Sequence, residues 1–88
     1  MTTVRGKLEE MLIERGMFDT QAEAVMDLAI PKMDDVVENY NFTWDTDSNE
    51  YPQVIYNVLF STVKETALEW INTNKPQAWY KPMFEAVK

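Results

Sequence analysis

The longest run of apolar residues at helical spacing lies between residues 51 and 71, and it limits the fold more than any other feature. That face consists of Tyr51, Ile55, Val58, Leu59, Thr62, Thr66, Trp70 and Ile71. Val63 and Ala67 widen it, so the helix is apolar around much of its circumference. We therefore predict a central helix that begins near Glu50 and ends near Thr73.

A shorter helix is predicted near the start of the chain, from Val4 to Arg15. Its apolar residues Val4, Leu8, Met11 and Leu12 have the spacing of one buried face. Thr3 precedes this helix, and its hydroxyl oxygen can accept a hydrogen bond from a backbone N–H of the first turn. Gly16 follows the helix, where a left-handed stop costs glycine little.

The second predicted helix covers residues 21–40 and contains Pro31. Thr20 and Glu23 match a capping box at its start. Its apolar residues keep one helical phase past the proline: Ala22, Val25, Ala29, Met33, Val36 and Tyr40. Pro31 falls opposite that phase, which predicts one helix that is kinked where the proline faces solvent. The alternative is two helices with a break near Ile30.

The whole chain, residues 1–88, is predicted to form a single all-α domain. Three main helices form a small bundle, and a short helical segment follows at the C-terminal end. This last segment is rich in aromatic residues, and we expect it to fold back over the bundle. Trp79, Tyr80 and Phe84 are its candidate interface residues, since large aromatics are common interface anchors. They favour a second hypothesis, a homodimeric or larger structural or assembly protein.

The composition argues against an enzyme. Cysteine and histidine are both absent, so Ser–His and Cys–His nucleophiles and the usual zinc sites are excluded. The adjacent acids Glu9–Glu10 and Asp34–Asp35 point about 100° apart on a helix, so neither pair forms a carboxylate dyad. Only two glycines are present, which leaves no glycine-rich phosphate loop. We predict no catalytic residues and no cofactor.

The charge of the chain is strongly and unevenly negative. The net charge is −7, and residues 31–50 contain six acids with Lys32 as their one base. Direct binding to nucleic acid or to anionic membranes is therefore disfavoured, because both need clustered Lys or Arg. The first residues do not resemble a signal peptide, and no apolar run approaches the ~20 residues that cross a bilayer. These observations predict a cytoplasmic protein.

An acidic stripe is predicted on the second helix, opposite its apolar face. Its residues are Glu23, Asp27, Asp34 and Glu38, with Asp35 beside them. Residues four apart lie ~6 Å apart along a helix axis, which is comparable to the spacing of phosphates along a nucleic-acid strand. Few bases interleave, so we expect repulsion along the stripe to be unrelieved. The stripe is either the wet face of an amphipathic helix or a partner-binding surface, and a nucleic-acid-binding protein would suit the latter.

Asp45, Asp47 and Asn49 alternate as the oxygen ligands of an EF-hand loop do. The remainder of such a loop does not fit, because Glu50 occupies the position that needs glycine and Tyr56 the position that needs a bidentate glutamate. Aspartate, serine and asparagine also favour turns and cap helices. We therefore interpret this stretch as a polar connection that caps the next helix, and predict no metal site.

Three stretches, "VRGKLEEMLIERGMF", "EYP" and "ALEWINTNKPQAWYKPMFEAV", resemble small acidic proteins encoded by phages and prophages. The resemblance covers most of the chain and includes no catalytic motif. It implies a small accessory protein in a bacterial host cell. With the acidic stripe, it favours a non-enzymatic module that binds a host or phage protein.

Overall fold

The computed structural model describes residues 2–74, most of which are helical. Four α-helices follow in chain order, namely α1 (Val4–Glu14), α2 (Asp19–Ala29), α3 (Asp34–Tyr40) and α4 (Gln53–Asn74). A 3-10 turn, Ile30–Met33, joins α2 to α3, and a second, Ser48–Glu50, precedes α4. No strand occurs between residues 2 and 74 apart from one isolated bridge, so the predicted all-α bundle is confirmed. The predicted C-terminal helical segment lies outside the described residues.

The irregularity predicted at Pro31 is present, and it takes the form of a tighter turn between two α-helices. Ala29 and Ile30 keep right-handed helical dihedral angles, but residues 30–33 form a 3-10 turn and Met33 leaves the α region, with φ −115° and ψ 16°. Proline has no N–H to donate and its ring crowds the carbonyl four residues earlier, which disfavours α-helical bonding at this point. Pro31 is exposed, in agreement with the prediction.

The 3-10 turn also changes which residues of α3 face the core. Because a 3-10 turn advances about 120° per residue rather than 100°, the apolar phase of α2 does not continue unchanged into α3. Val36 and Val37 are half-buried, and no residue of α3 is fully buried. Tyr40, predicted on the buried face, is 46% exposed, so that prediction is wrong.

The first helix begins at Val4, as predicted, and ends at Glu14, one residue before the predicted end. The Gly6 N–H donates to Thr3 Oγ over 3.0 Å, which confirms the N-cap. Gly16 has a φ of 107°, in the region that side-chain-bearing residues avoid. The predicted capping box of α2, however, is wrong.

This second helix begins at Asp19 rather than residue 21. The backbone N–H of Phe18 donates to Gln21 Oε1 over 2.9 Å. The glutamine carboxamide thereby satisfies an orphan donor ahead of Thr20, and the helix starts two residues earlier than a Thr20–Glu23 box would place it.

The core is built by one face from each of three helices and by residues of the intervening turns. Its buried apolar residues are Val4, Leu8, Leu12, Met17, Ala22, Val25, Met26, Ala29, Met33, Phe42, Ile55, Tyr56, Leu59, Phe60, Val63 and Ala67. Helix α2 packs more extensively against α1 and α4 than those two pack against each other. Helix α2 therefore lies between α1 and α4, and the prediction that α4 is the central element is wrong.

The face that α4 buries is rotated from the predicted one. Val58 was expected inside but is 51% exposed, whereas Tyr56 and Phe60 are buried. Two cations lie over these rings, since Lys7 Nζ of α1 is 4.6 Å from the centre of the Tyr56 ring and the guanidinium of Arg15, the residue after α1, is 4.9 Å from that of Phe60. Cation–π contacts and burial thus act on the same side of α4.

The connection between α3 and α4 is attached to the start of α1. The N–H groups of Val4 and Arg5 donate to the carbonyl oxygens of Thr46 and Trp44, over 2.8 and 3.2 Å. These donors belong to the first turn of α1, which has no partners for them within the helix. The connection, predicted to cap α4, supplies carbonyl oxygens to the first turn of α1, and its Asp47 side chain caps the 3-10 turn that precedes α4.

Tyr56 fixes the other end of this connection. Its hydroxyl is buried and donates to the Ser48 carbonyl oxygen over 2.6 Å, while the Ser48 N–H donates to the Thr2 carbonyl over 2.8 Å. Ser48 is therefore held by α4 on one side and by the residue before the α1 cap on the other. One buried phenol links three parts of the chain.

Tyr56 should also make stability depend on alkaline pH. Burial raises the pKa of Tyr56 above its ordinary value of 10.0, with smaller contributions from Tyr51 and Asp47. The unfolded chain then loses the phenolic proton at a lower pH than the folded protein, so stability declines as pH rises from 10.0 through the raised pKa. We expect the Tm to fall more steeply over this range in the native protein than in Tyr56→Phe. Equal slopes in the two proteins would contradict the buried-phenol assignment.

Candidate functional site

The acidic residues predicted as a partner-binding stripe are all at the surface. The exposed residues are Glu23, Asp27, Asp34, Asp35 and Glu38. The first two lie on α2 and the other three on α3, so the 3-10 turn separates them. The stripe is thus carried by two helices, and its halves have different surroundings.

The α2 half is partly neutralised by α1. Arg5 Nη2 lies 2.8 Å from Asp27 Oδ1, and Arg5 Nε lies 3.2 Å from Glu9 Oε2. The same guanidinium donates to the Glu23 carbonyl oxygen over 3.4 Å. Burial acts to lower the pKa of Arg5, but its hydrogen bonds to Asp27 and Glu9 outweigh this, and the pKa is raised. The expectation of unrelieved repulsion is therefore wrong at Asp27.

The α3 half keeps its negative charge. We refer to Asp34, Asp35 and Glu38 as the α3 acidic face. The salt bridges within residues 2–74 are Arg5–Glu9, Arg5–Asp27 and Lys32–Glu69, and none of them includes this face. Lys32 is the nearest base along the chain, but its Nζ lies 3.1 Å from Glu69 Oε2 on α4. Three carboxylates are therefore concentrated on a seven-residue helix without a base paired to them in the described chain.

The stability of α3 explains the acidic residues at the start of this face but not the one near its end. Asp34 and Asp35 lie in the first turn of α3, where negative charge interacts favourably with the helix dipole. Glu38 lies near the C-terminal end, where the same dipole disfavours an anion. The structure gives Glu38 no side-chain hydrogen bond or ion pair within residues 2–74, so its charge has no stabilising contact there.

A second acidic surface lies between α1 and α2. It is a groove of about 450 Å³ that surrounds the partly exposed Ile13, and its carboxylates are Glu9, Glu10, Asp19 and Glu23. The Arg5 guanidinium bonds to Glu9 and to the Glu23 backbone, which places a positive charge beside the groove. The groove is consequently less negative than its four carboxylates alone would make it.

The structure also gathers four aromatic rings that sequence reasoning did not single out as a site. We refer to Tyr40, Phe42, Trp44 and Tyr51 as the aromatic cluster. The Phe42 ring centre lies 6.5 Å from that of Tyr40, 5.7 Å from that of Trp44 and 5.0 Å from that of Tyr51. Four aromatics within residues 40–51 were the available signal. The aromatics predicted at an interface, Trp79, Tyr80 and Phe84, lie outside the described residues, and homodimerisation through them stays a prediction.

The alternating Asp45, Asp47 and Asn49 lie in the connection before α4, where Asp47 forms a local hydrogen bond. The Asp47 carboxylate accepts a hydrogen bond from the Asn49 N–H over 2.9 Å and thereby caps the 3-10 turn. Asp45 and Asn49 are exposed. Within residues 2–74, no group of three or more acidic side chains is arranged to hold a metal ion.

None of the helices in residues 2–74 combines the length and apolar character needed to cross a bilayer.

Comparison of the chain with protein-family models, with curated proteins and with solved structures gives no match.

Proposed function

We propose that this protein is a non-enzymatic protein-binding module and that its α3 acidic face docks on a basic surface of another protein. The observation that supports this most is the contrast between the two halves of the acidic stripe. Arg5 compensates Asp27 on α2, whereas Asp34, Asp35 and Glu38 have no ion-pair partner among residues 2–74. A basic partner would supply the missing counter-charges.

The exposure of α3 suits this role. Within residues 2–74, Asp34, Asp35, Glu38, Asn39 and Tyr40 are exposed, so this face of the helix is accessible to a partner. Asp34 and Glu38 are four residues apart, which places them ~6 Å apart along the axis. Because phosphates along a nucleic-acid strand have a comparable spacing, the partner class that fits best is a nucleic-acid-binding protein. The resemblance to phage and prophage proteins adds a setting, the cytoplasm of a bacterial host.

The test is affinity capture from a bacterial lysate with three tagged proteins. The first is native, the second carries Asp34→Asn, Asp35→Asn and Glu38→Gln, and the third is a matched control. The control carries Glu10→Gln, Glu14→Gln and Glu65→Gln, which removes the same charge from exposed residues of α1 and α4. We expect a partner that the native and control proteins retain and the α3 variant loses.

Salt dependence provides a second readout in the same experiment. Ion pairs at a protein surface weaken as ionic strength rises, so native capture should decrease between low and moderate salt. Equal capture by all three proteins would place the binding site elsewhere and contradict the proposal. Equal loss in both variants would show that net charge alone is responsible, and would contradict it as well.

A further inference from the structure

We infer that the aromatic cluster is a docking surface for arginine side chains of a basic protein partner. This inference rests on the proposed function and specifies its chemistry, since it assigns part of the contact to rings rather than carboxylates. The surface consists of the outer rings, Tyr40, Trp44 and Tyr51, around Phe42.

The arrangement of the rings provides a fixed platform. Phe42 is 3% exposed and lies at the centre of the cluster, where the other three rings pack around it. Tyr40 is 46% exposed, and Trp44 and Tyr51 are half-buried. If the cluster served stability alone, burial of all of its rings would stabilise the fold most. Tyr40 is nevertheless 46% exposed to solvent.

The chain already pairs cations with rings at another place. Lys7 stands over Tyr56 and Arg15 over Phe60, and these are the cation–π contacts within residues 2–74. No ring of the aromatic cluster has a cation–π contact with a residue between 2 and 74. The segment from residue 33 to residue 63 contains six acids and neither lysine nor arginine, so no base of that segment can occupy the cluster.

Charge complementarity identifies the occupant. Asp45 is adjacent to Trp44 and Glu50 is adjacent to Tyr51 in the chain, and both carboxylates are exposed. A surface that combines aromatic faces with carboxylates attracts a cation that can both stack and form ion pairs. The planar guanidinium of arginine does both and is less strongly hydrated than the lysine ammonium. Arginine should therefore be preferred to lysine.

The experiment uses fluorescein-labelled hexa-arginine and hexalysine peptides and measures binding to the full chain by fluorescence anisotropy. The proteins are native, Tyr40→Leu, Tyr40→Phe and the α3 variant with Asp34→Asn, Asp35→Asn and Glu38→Gln. Tyr40 is suitable because it is exposed, and far-UV circular dichroism confirms that each variant is folded. We expect the native protein to bind hexa-arginine more tightly than hexalysine.

Tyr40→Leu should weaken binding of hexa-arginine roughly two- to fivefold, the worth of an exposed cation–π contact, and reduce its preference over hexalysine. Tyr40→Phe should retain the preference, because it retains the ring. Equal affinity of the native protein for both peptides, or no effect of Tyr40→Leu, would overturn the inference. Either of those results overturns the inference about the aromatic cluster. If the α3 variant nevertheless loses affinity for both peptides, the proposed function still stands. If the α3 variant binds both as the native protein does, the proposed function fails instead.

Discussion

Tyr56→Ala should lower the free energy of unfolding by about 3–5 kcal/mol, as truncation of a buried aromatic does. Tyr56 is fully buried, donates to the Ser48 carbonyl and lies beneath Lys7. A domain of this length has roughly 5–10 kcal/mol of stability in total, so the variant would lose a large part of it. Chemical denaturation followed by circular dichroism measures the change.

Tyr56→Phe separates the hydroxyl from the ring. This variant keeps the packing and removes the donor to Ser48, so it should cost about 1–2 kcal/mol. A cost near zero would show that the hydrogen bond between α4 and the connection contributes nothing to stability. A cost as large as that of Tyr56→Ala would show that the hydroxyl, rather than the ring, provides the stabilisation.

Truncation of the adjacent residues Leu59 and Val58 should affect stability to very different extents. Leu59 is 1% exposed, and Leu59→Ala should destabilise the protein by about 2–5 kcal/mol through lost burial and the cavity left behind. Val58 is 51% exposed, and Val58→Ala should change stability by less than about 0.5 kcal/mol. Urea denaturation of the two variants and the native protein makes the comparison.

Similar losses in these two variants, or a larger loss in Val58→Ala, would mean that α4 is rotated relative to the core. That outcome would support the face predicted from sequence, in which Val58 points inward. The pair is informative because the two residues are adjacent and similar in chemistry, so a general effect of truncating an apolar residue of α4 would appear in both.

Features set by neighbouring residues could be predicted from the sequence. The Thr3 cap, the Gly16 stop and the break at Pro31 each follow from the backbone preferences of one residue type. The all-α fold follows in the same way, because helical spacing repeats along most of the chain.

Features set by distant residues could not be predicted. Arg5 pairs with Asp27, which is 22 residues away, and no local pattern reveals that contact. Tyr56 and Phe60 are buried in a core built by several helices, and the cations over their rings, Lys7 and Arg15, come from a distant part of the chain. The attachment of residues 44–48 to α1 uses backbone atoms, which every residue type has, so it leaves no signature in the sequence.

The candidate site likewise combines features that the local sequence predicts with features that distant residues determine. Its acids could be identified from composition and spacing alone. Which of them keep an unbalanced charge depends on Arg5, which pairs with Asp27 of α2 as well as with Glu9 of its own helix, and on Lys32, which pairs with Glu69 of α4. Helical spacing predicts that Tyr40 is buried, because it assumes a continuous α-helix. The 3-10 turn interrupts that helix, and the Tyr40 ring is exposed beside Phe42. The α3 acidic face and the aromatic cluster are therefore products of the tertiary fold.

The most direct test of the account is to locate the binding surface on the protein. A ¹H–¹⁵N correlation spectrum of the native chain, recorded during titration with the captured partner, reports on each backbone amide. The account predicts the largest shifts or losses of signal in residues 34–40, with amides of α1 changing little. Changes centred on the groove between α1 and α2, with residues 34–40 unaffected, would contradict the α3 acidic face as the binding surface.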